Sequence, residues 1–307
     1  MLRYQKLSKN PRKFLAMTAF TVPEFQALLP YFEIEFNQHV AVYRLDGKVR
    51  QKRRYRPYKN SVLPTIEDKL LFILVYLKQN SLQEAHATLF GLHQPDANRW
   101  IHCLHRLLNQ ALAALLVLPA RTAISLNLTE AEAGLYFHDG TERPIGRPTD
   151  PTTQRDYYSG KKKQHTVKNI LLVHPSGRVL LLSRTVEGKK HDKKAADEAA
   201  YTLPAGSVLV QDSGFQGFSL VGVVMLQPQK KPRGQELAPE DKRDNQLIAQ
   251  IRIRVEHAIG GVKRYRMVKD KIRNWKENFR DQVMETCCGL HNFRLDFRPW
   301  YYDNLTI

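Results

Sequence analysis

Cysteine is scarce in this chain. Cys103, Cys287 and Cys288 are the whole complement, two of them adjacent and none in a CxxC pair. That excludes a disulfide framework, argues against a cysteine-built zinc site, and fits a reducing compartment. Long hydrophobic runs are missing as well. The most apolar stretch, Leu70–Leu77, spans eight residues, where a bilayer-crossing helix needs about 20, so no membrane partner is expected. The basic opening MLRYQKLSKNPRKF is not followed by the apolar core of a secretion signal, and no segment repeats in tandem. Acids are in deficit too: 30 Asp and Glu face 48 Lys and Arg, a net charge of +18. An excess of that size favours a polyanionic partner, most commonly nucleic acid, without separating a reader from an enzyme. What remains is an ordinary globular composition, 42% hydrophobic over 307 residues. That is enough for one sizeable core and a smaller second domain.

Residues 1–120 read as helical. Thr21-Val22-Pro23-Glu24 carries a capping box with proline in the first turn. The stretch RLDGKVRQKRRYRPYK (44–59) opens on a hairpin-like LDGK and holds eight basic residues and one acid. Arg53 and Arg54 at its centre are candidate phosphate contacts, although a solvated linker explains the run almost as well. Three helices are then expected in close order, Ile66–Leu77, Leu82–Phe90 and Pro95–Leu108. This is the outline of a helix-turn-helix near 66–109, whose last helix would offer Asn98, Arg99, His102 and Arg106 to a DNA groove. Small bundles that never touch DNA share that outline. From Ala133 the texture changes to short apolar runs, HTVKNILLV, RVLLLSRTV, SVLVQD and VGVVMLQ, followed by two long helical patterns, Asp244–Met267 and Phe279–Phe297. A mixed sheet with helices against it follows, an α/β domain over 121–300 with a tail at 301–307.

Two acids are expected where apolar strands end, in Phe137-His138-Asp139-Gly140 and Val210-Gln211-Asp212-Ser213. A single strand-end aspartate is more often a turn cap. Two of them repel unless a cation or proton lies between, and oxygen ligands of this kind suit magnesium. A third acid, Glu256, stands in the basic helical stretch IRIRVEHAIGGVKRYR (251–266), sharing a broad face with Arg252 and Lys263. An Arg252–Glu256 salt bridge one turn apart is the simpler use of that acid.

With these residues in view the chain resembles the DDE-type transposases of bacterial insertion sequences, a group similar to Harbinger-like DDE endonucleases. The resemblance is carried by HDGTERPI (138–145), YYSGKKKQHTVKN (157–169), VQDSGFQG (210–217) and RVEHAIGGVKRYR (254–266), in that order. It implies a ribonuclease H-like catalytic domain behind an all-helical helix-turn-helix domain. It further implies that Asp139, Asp212 and Glu256 hold two Mg²⁺ ions, replaceable by Mn²⁺, with Arg252 and Lys263 completing the catalytic set. A related signature opens with tyrosine where this chain has Ala249. The implied activity is hydrolysis at element ends followed by transfer of the 3′-OH into target DNA. The implied partners are double-stranded terminal repeats and target, engaged as a homodimer in the bacterial cytoplasm at the nucleoid. Lys161, Lys162, Lys163 and His165 form one further cluster fit for phosphate; Lys189, Lys190 and His191 form another. For each, a solvated turn is the competing reading, although His191-Asp192 also resembles a pair that the family motif places near the catalytic centre. A catalytically idle DNA-binding derivative and an endonuclease that cuts without joining are the rival functions. The retained acids argue against the first, and joined products would separate the second.

Overall fold

The computed structural model describes residues 1–51, 54–56, 61–232, 234, 236–274, 276 and 278–302. The chain divides into two compact units. The first comprises Met1–Leu118, Lys263–Asp270 and Gln282–Phe297; the second comprises Pro119–Val262, Lys271–Asp281 and Arg298–Ile307. The units therefore do not follow the chain as a boundary near 120 would divide it, because two later segments group with the helical part.

The helical unit begins with α1 (Tyr4–Leu7), α2 (Pro11–Thr18) and α3 (Val22–Val42). The capping box is formed: Glu24 N donates to Thr21 Oγ1 and Thr21 N donates to Glu24 Oε2, which satisfies two otherwise orphaned donors. LDGK makes the expected turn, with Gly47 at φ +83° and Arg44 N bonded to Lys48 O. Then come α4 (Ile66–Gln79), α5 (Gln83–Phe90) and α6 (Gln94–Ala114). The expected helices are all present, the last extended by six residues at its C-terminal end. Leu70, Leu71, Phe72, Ile73, Leu74, Val75 and Leu77 are all completely buried, so α4 is the axis of this core, apolar all round as a central helix must be. Among the described residues no helix is long and apolar enough to cross a membrane.

The second unit holds α7 (Ala123–Leu126), β1 (Leu135–Pro144), α8 (Pro151–Tyr157), β2 (Tyr158–Ser159), β3 (Gln164–Val173), β4 (Val179–Leu182), β5 (Val186–Glu187), α9 (Asp192–Ala199), β6 (Val208–Val210), β7 (Val224–Leu226) and α10 (Pro239–Val262). Beyond it, α11 (Arg266–Lys269) and most of α12 (Phe279–Phe297) belong to the helical unit. The sheet runs β2-β3-β1-β6-β7, with β4 and β5 also pairing β3. It is mixed: β1 is antiparallel to β3 and parallel to β6, which is parallel to β7. Its core gathers Tyr136, Ile170, Leu172, Leu209, Tyr201 and Phe215. One expectation is corrected here. β1 does not end at Asp139 but continues to Pro144, because β3 goes on pairing with it through Pro144↔Thr166. What ends near Asp139 is the parallel partner β6.

Candidate active site

β1 and β6 pair in a register that joins Leu135 to Val208, Tyr136 to Leu209 and Phe137 to Val210. Carried two residues further, the same register matches His138 with Gln211 and Asp139 with Asp212. The two aspartates thus leave equivalent points on adjacent parallel strands. The pair below them is tied directly. His138 Nε2 lies 2.8 Å from Gln211 Oε1 and its Nδ1 2.6 Å from Tyr201 Oη. Gln211 Nε2 donates to Gln227 Oε1 at 2.7 Å, so Oε1 accepts from His138 Nε2–H and Nδ1 accepts from the tyrosine. Burial holds His138 neutral, its pKa down to about 3. A polar, fully buried residue stands immediately before each aspartate, a signal readable in the sequence yet assigned no role there.

The Asp139 carboxyl is pushed up to about 6, chiefly by burial, with Arg252 and the Gly140 N–H pulling the other way and Asp212 and Asp192 adding to the rise. Arg252, on α10, is the counter-charge: it lies 3.8 Å from Asp139 and 3.7 Å from Asp212. At those distances it is an ion pair without tight hydrogen bonds, and its buried Nε has no hydrogen-bond partner among the described residues. Two carboxylates therefore face one cationic position, held by a guanidinium that neither oxygen grips closely. Hard oxygen donors around a shared positive charge are the chemistry a divalent ion needs, so these residues fit one. Glu256 is exposed one turn along α10 and makes no ion pair with Arg252. Among the described residues no three acidic, histidine or cysteine side chains are grouped to hold a metal. The structure thus brings Asp139, Asp212 and Arg252 together and leaves Glu256 outside that group. Lys263 is half-buried just past the end of α10.

Beside the aspartates, Lys168 and Glu142 face each other across β3 and β1. Lys168 Nζ lies 2.7 Å from Asp192 and 3.9 Å from Glu142; Lys168 and Glu142 are outside the expected set, while Asp192 belongs to the expected His191-Asp192 pair. The other expected residues scatter. Lys161, Lys162 and Lys163 are exposed on the turn before β3, with His165 half-buried on that strand. Lys189 and His191 are exposed before α9, while Lys190 is engaged by Glu187 and Glu198.

In the helical unit, Arg99 pairs with Asp96 of its own helix at 2.9 Å. Asn98 donates to Gln83 Oε1 at 3.0 Å, His102 is half-buried, and exposed Arg106 lies 3.1 Å from His39 Nδ1. Arg54 lines a cavity of about 1480 Å³ together with Arg50, Arg56, Arg99, Tyr55 and Trp100. Arg53 lies outside the described residues.

Against known proteins, residues 138–292 match the family described as DDE superfamily endonuclease, and residues 61–114 match the helix-turn-helix of DDE superfamily endonuclease. A probable transposase for insertion sequence element IS702 of Microchaete diplosiphon is 26% identical over 277 residues, covering 90% of this chain and 95% of the relative. A putative transposase for insertion sequence element IS112 of Streptomyces albus G is 26% identical over 238 residues, 77% of this chain and 82% of the relative. No solved structure matches the chain. The first match begins at His138 and contains both aspartates, Arg252 and Glu256; the second contains α4, α5 and α6.

Proposed function

The chain belongs to the DDE superfamily endonucleases, and from that premise we propose that it is an insertion-sequence transposase that cuts duplex DNA at the element ends and joins the freed 3′-OH to target DNA. The observation that carries this reading is the register match of Asp139 and Asp212 around a single cationic position. Enzymes of this superfamily use divalent metal ions. Asp139 and Asp212 would hold them, with Glu256 joining from the next turn of α10; Mg²⁺, two ions to a site, is the expected complement. When bound, the ions would polarise the scissile phosphoryl group and make the attacking oxygen a better nucleophile.

The remaining work belongs to the chain. Arg252 is close enough to both carboxylates to move its charge from them to a phosphate oxygen as DNA enters, and Lys263 would hold a flanking phosphate. Water attacks the phosphorus and the 3′ oxygen leaves; the 3′-OH then attacks a target phosphodiester, one P–O bond forming as another breaks. Each step consumes a bond of the same kind as it makes, so no covalent protein intermediate is required. A ribonuclease H-like arrangement of the mixed sheet agrees with β1 antiparallel to β3 and parallel to β6. The helix-turn-helix supports DNA binding, with Asn98, Arg99, His102 and Arg106 as the groove-facing set and Arg53, Arg54, Lys161, Lys162, Lys163, His165, Lys189, Lys190 and His191 as phosphate contacts. Joining two element ends calls for two active sites, hence a homodimer on DNA, acting in the cytoplasm at the nucleoid.

The test is to incubate the purified protein and Mg²⁺ or Mn²⁺ with DNA bearing both flanks of its own gene, then map the 3′ ends and the joined products. Cleavage at both flanks with joining is expected. Cleavage without joining would reduce the protein to an endonuclease, and tight binding with no cleavage would make it a reader.

A further inference from the structure

A third carboxylate lies against the two aspartate-bearing segments. Asp192 is the first residue of α9, and its two oxygens point at different parts of the site. A methyl group added at Gly140 would come within 3.0 Å of Asp192 Oδ1, and one added at Gly214 within 2.9 Å of Asp192 Oδ2. Gly140 follows Asp139 directly and Gly214 stands two residues after Asp212. Each oxygen of Asp192 therefore packs against the chain that carries one of the paired acids: a side chain at Gly214 would make the carboxylate shift, and one at Gly140 would crowd it by a few tenths of an ångström.

The charge of Asp192 is itself anchored. Lys168 Nζ approaches Asp192 Oδ1 to 2.7 Å and donates to the Lys190 carbonyl, which immediately precedes the α9 cap, also at 2.7 Å. Lys168 is buried on β3, the strand that pairs with β1 through Asp139 and beyond. A carboxylate that merely caps a helix would be solvated and would set no demand on positions 140 and 214. This one is braced from behind by a buried lysine and pressed in front against two glycines.

We propose that Asp192 is a positioning residue, a wedge braced by Lys168 that sets the separation of Asp139 and Asp212 and the angle at which their oxygens face a divalent cation. The proposal rests on the reading of those two aspartates as the cation-binding pair. Partners that orient metal-binding groups affect metal affinity without touching the metal, and a negative charge beside the pair deepens the potential that draws a cation in. Lys168 keeps that charge from requiring a cation of its own.

The experiment uses the full chain, duplex DNA bearing the gene's flanks, and Mn²⁺. Asp192→Asn and Asp139→Asn are compared with the unaltered protein for cleavage across a Mn²⁺ titration and for Mn²⁺ binding by calorimetry without DNA. Asp192→Asn is expected to bind DNA as the unaltered protein does but to melt lower, because buried Lys168 loses its charged partner, so cleavage and Mn²⁺ binding are read well below its melting temperature. Its Mn²⁺ requirement should rise, and its calorimetric Mn²⁺ affinity fall, by about 10- to 100-fold, with most of the cleavage rate returning at saturating Mn²⁺. An unchanged Mn²⁺ requirement together with unchanged affinity overturns the proposal. If that variant fails to fold, Gly214→Ala decides. In a chain that keeps Asp192 it should raise the Mn²⁺ requirement for cleavage by displacing the carboxylate; an unchanged Mn²⁺ requirement overturns the wedge. Loss of cleavage in Asp139→Asn with Asp192→Asn unaffected removes this inference alone. Cleavage retained in Asp139→Asn removes the underlying reading of the site.

Discussion

Asp139 carries a cost that function explains. Burial raises its pKa to about 6 from an ordinary value near 3.8, so the folded protein holds its proton more tightly than the unfolded chain. Stability in the absence of metal must then fall as pH rises from about 4 through about 6, because ionisation favours the unfolded state over that range. Asp139→Asn has no proton to lose. It is predicted to be more stable than the unaltered protein above pH 7, by at most about 3 kcal/mol, with the gap closing near pH 4. Urea denaturation of both proteins at pH 7.5 and pH 4 checks this, and an equal difference at the two pH values would contradict it. The acids themselves were legible in the sequence as two strand-associated aspartates in a basic chain. The partner of Arg252 was not. Helical spacing pairs it with Glu256, whereas the fold turns it toward Asp139 and Asp212, a choice made by how α10 lies against β1 and invisible to periodicity.

At the level of elements, the strands and the helix-turn-helix were readable from apolar runs and caps, while the register was not. Nothing in the sequence alone says that β6 stops pairing after Val210 or that β1 continues to Pro144 along β3. The register is what aligns the aspartates, and the His138–Gln211 hydrogen bond secures it. His138→Phe would keep an aromatic ring there but strand Tyr201 Oη and the Gln211 side-chain oxygen in the core. A loss of about 2 kcal/mol in stability is expected, with cleavage lowered further than the remaining folded fraction accounts for; thermal melting and a cleavage assay carried out well below the melting temperature read both. α10 gives the converse case. Glu256 is exposed and unpaired with Arg252, so Glu256→Gln should change stability by less than about 0.5 kcal/mol yet abolish cleavage if it serves as the third acid. Unimpaired cleavage would return Glu256 to the solvated face of its helix.

For the whole molecule, the charge of +18 was the first legible feature and points at the largest partner, the DNA backbone. What composition could not reveal is that the chain returns to its helical unit, with 263–270 and 282–297 grouped there; the packing of segments so distant in sequence leaves no local pattern. Backbone binding makes a quantitative prediction: on a logarithmic plot, DNA affinity falls with salt by about 0.9 for each phosphate neutralised. Replacing the exposed Lys161, Lys162 and Lys163 together by alanine should flatten that slope by about 0.9 for each phosphate these lysines neutralise, measured by fluorescence anisotropy between low and moderate salt; an unchanged slope makes the cluster a solvated turn. The most direct test of the paired aspartates as the phosphoryl-transfer centre is cleavage of flank-bearing duplex DNA by the unaltered protein and by Asp212→Asn, with 3′ ends mapped in Mg²⁺ and DNA affinity measured alongside. The unaltered protein should release 3′-OH ends at both flanks while Asp212→Asn binds the same DNA and cuts neither. Undiminished cutting by Asp212→Asn would contradict it.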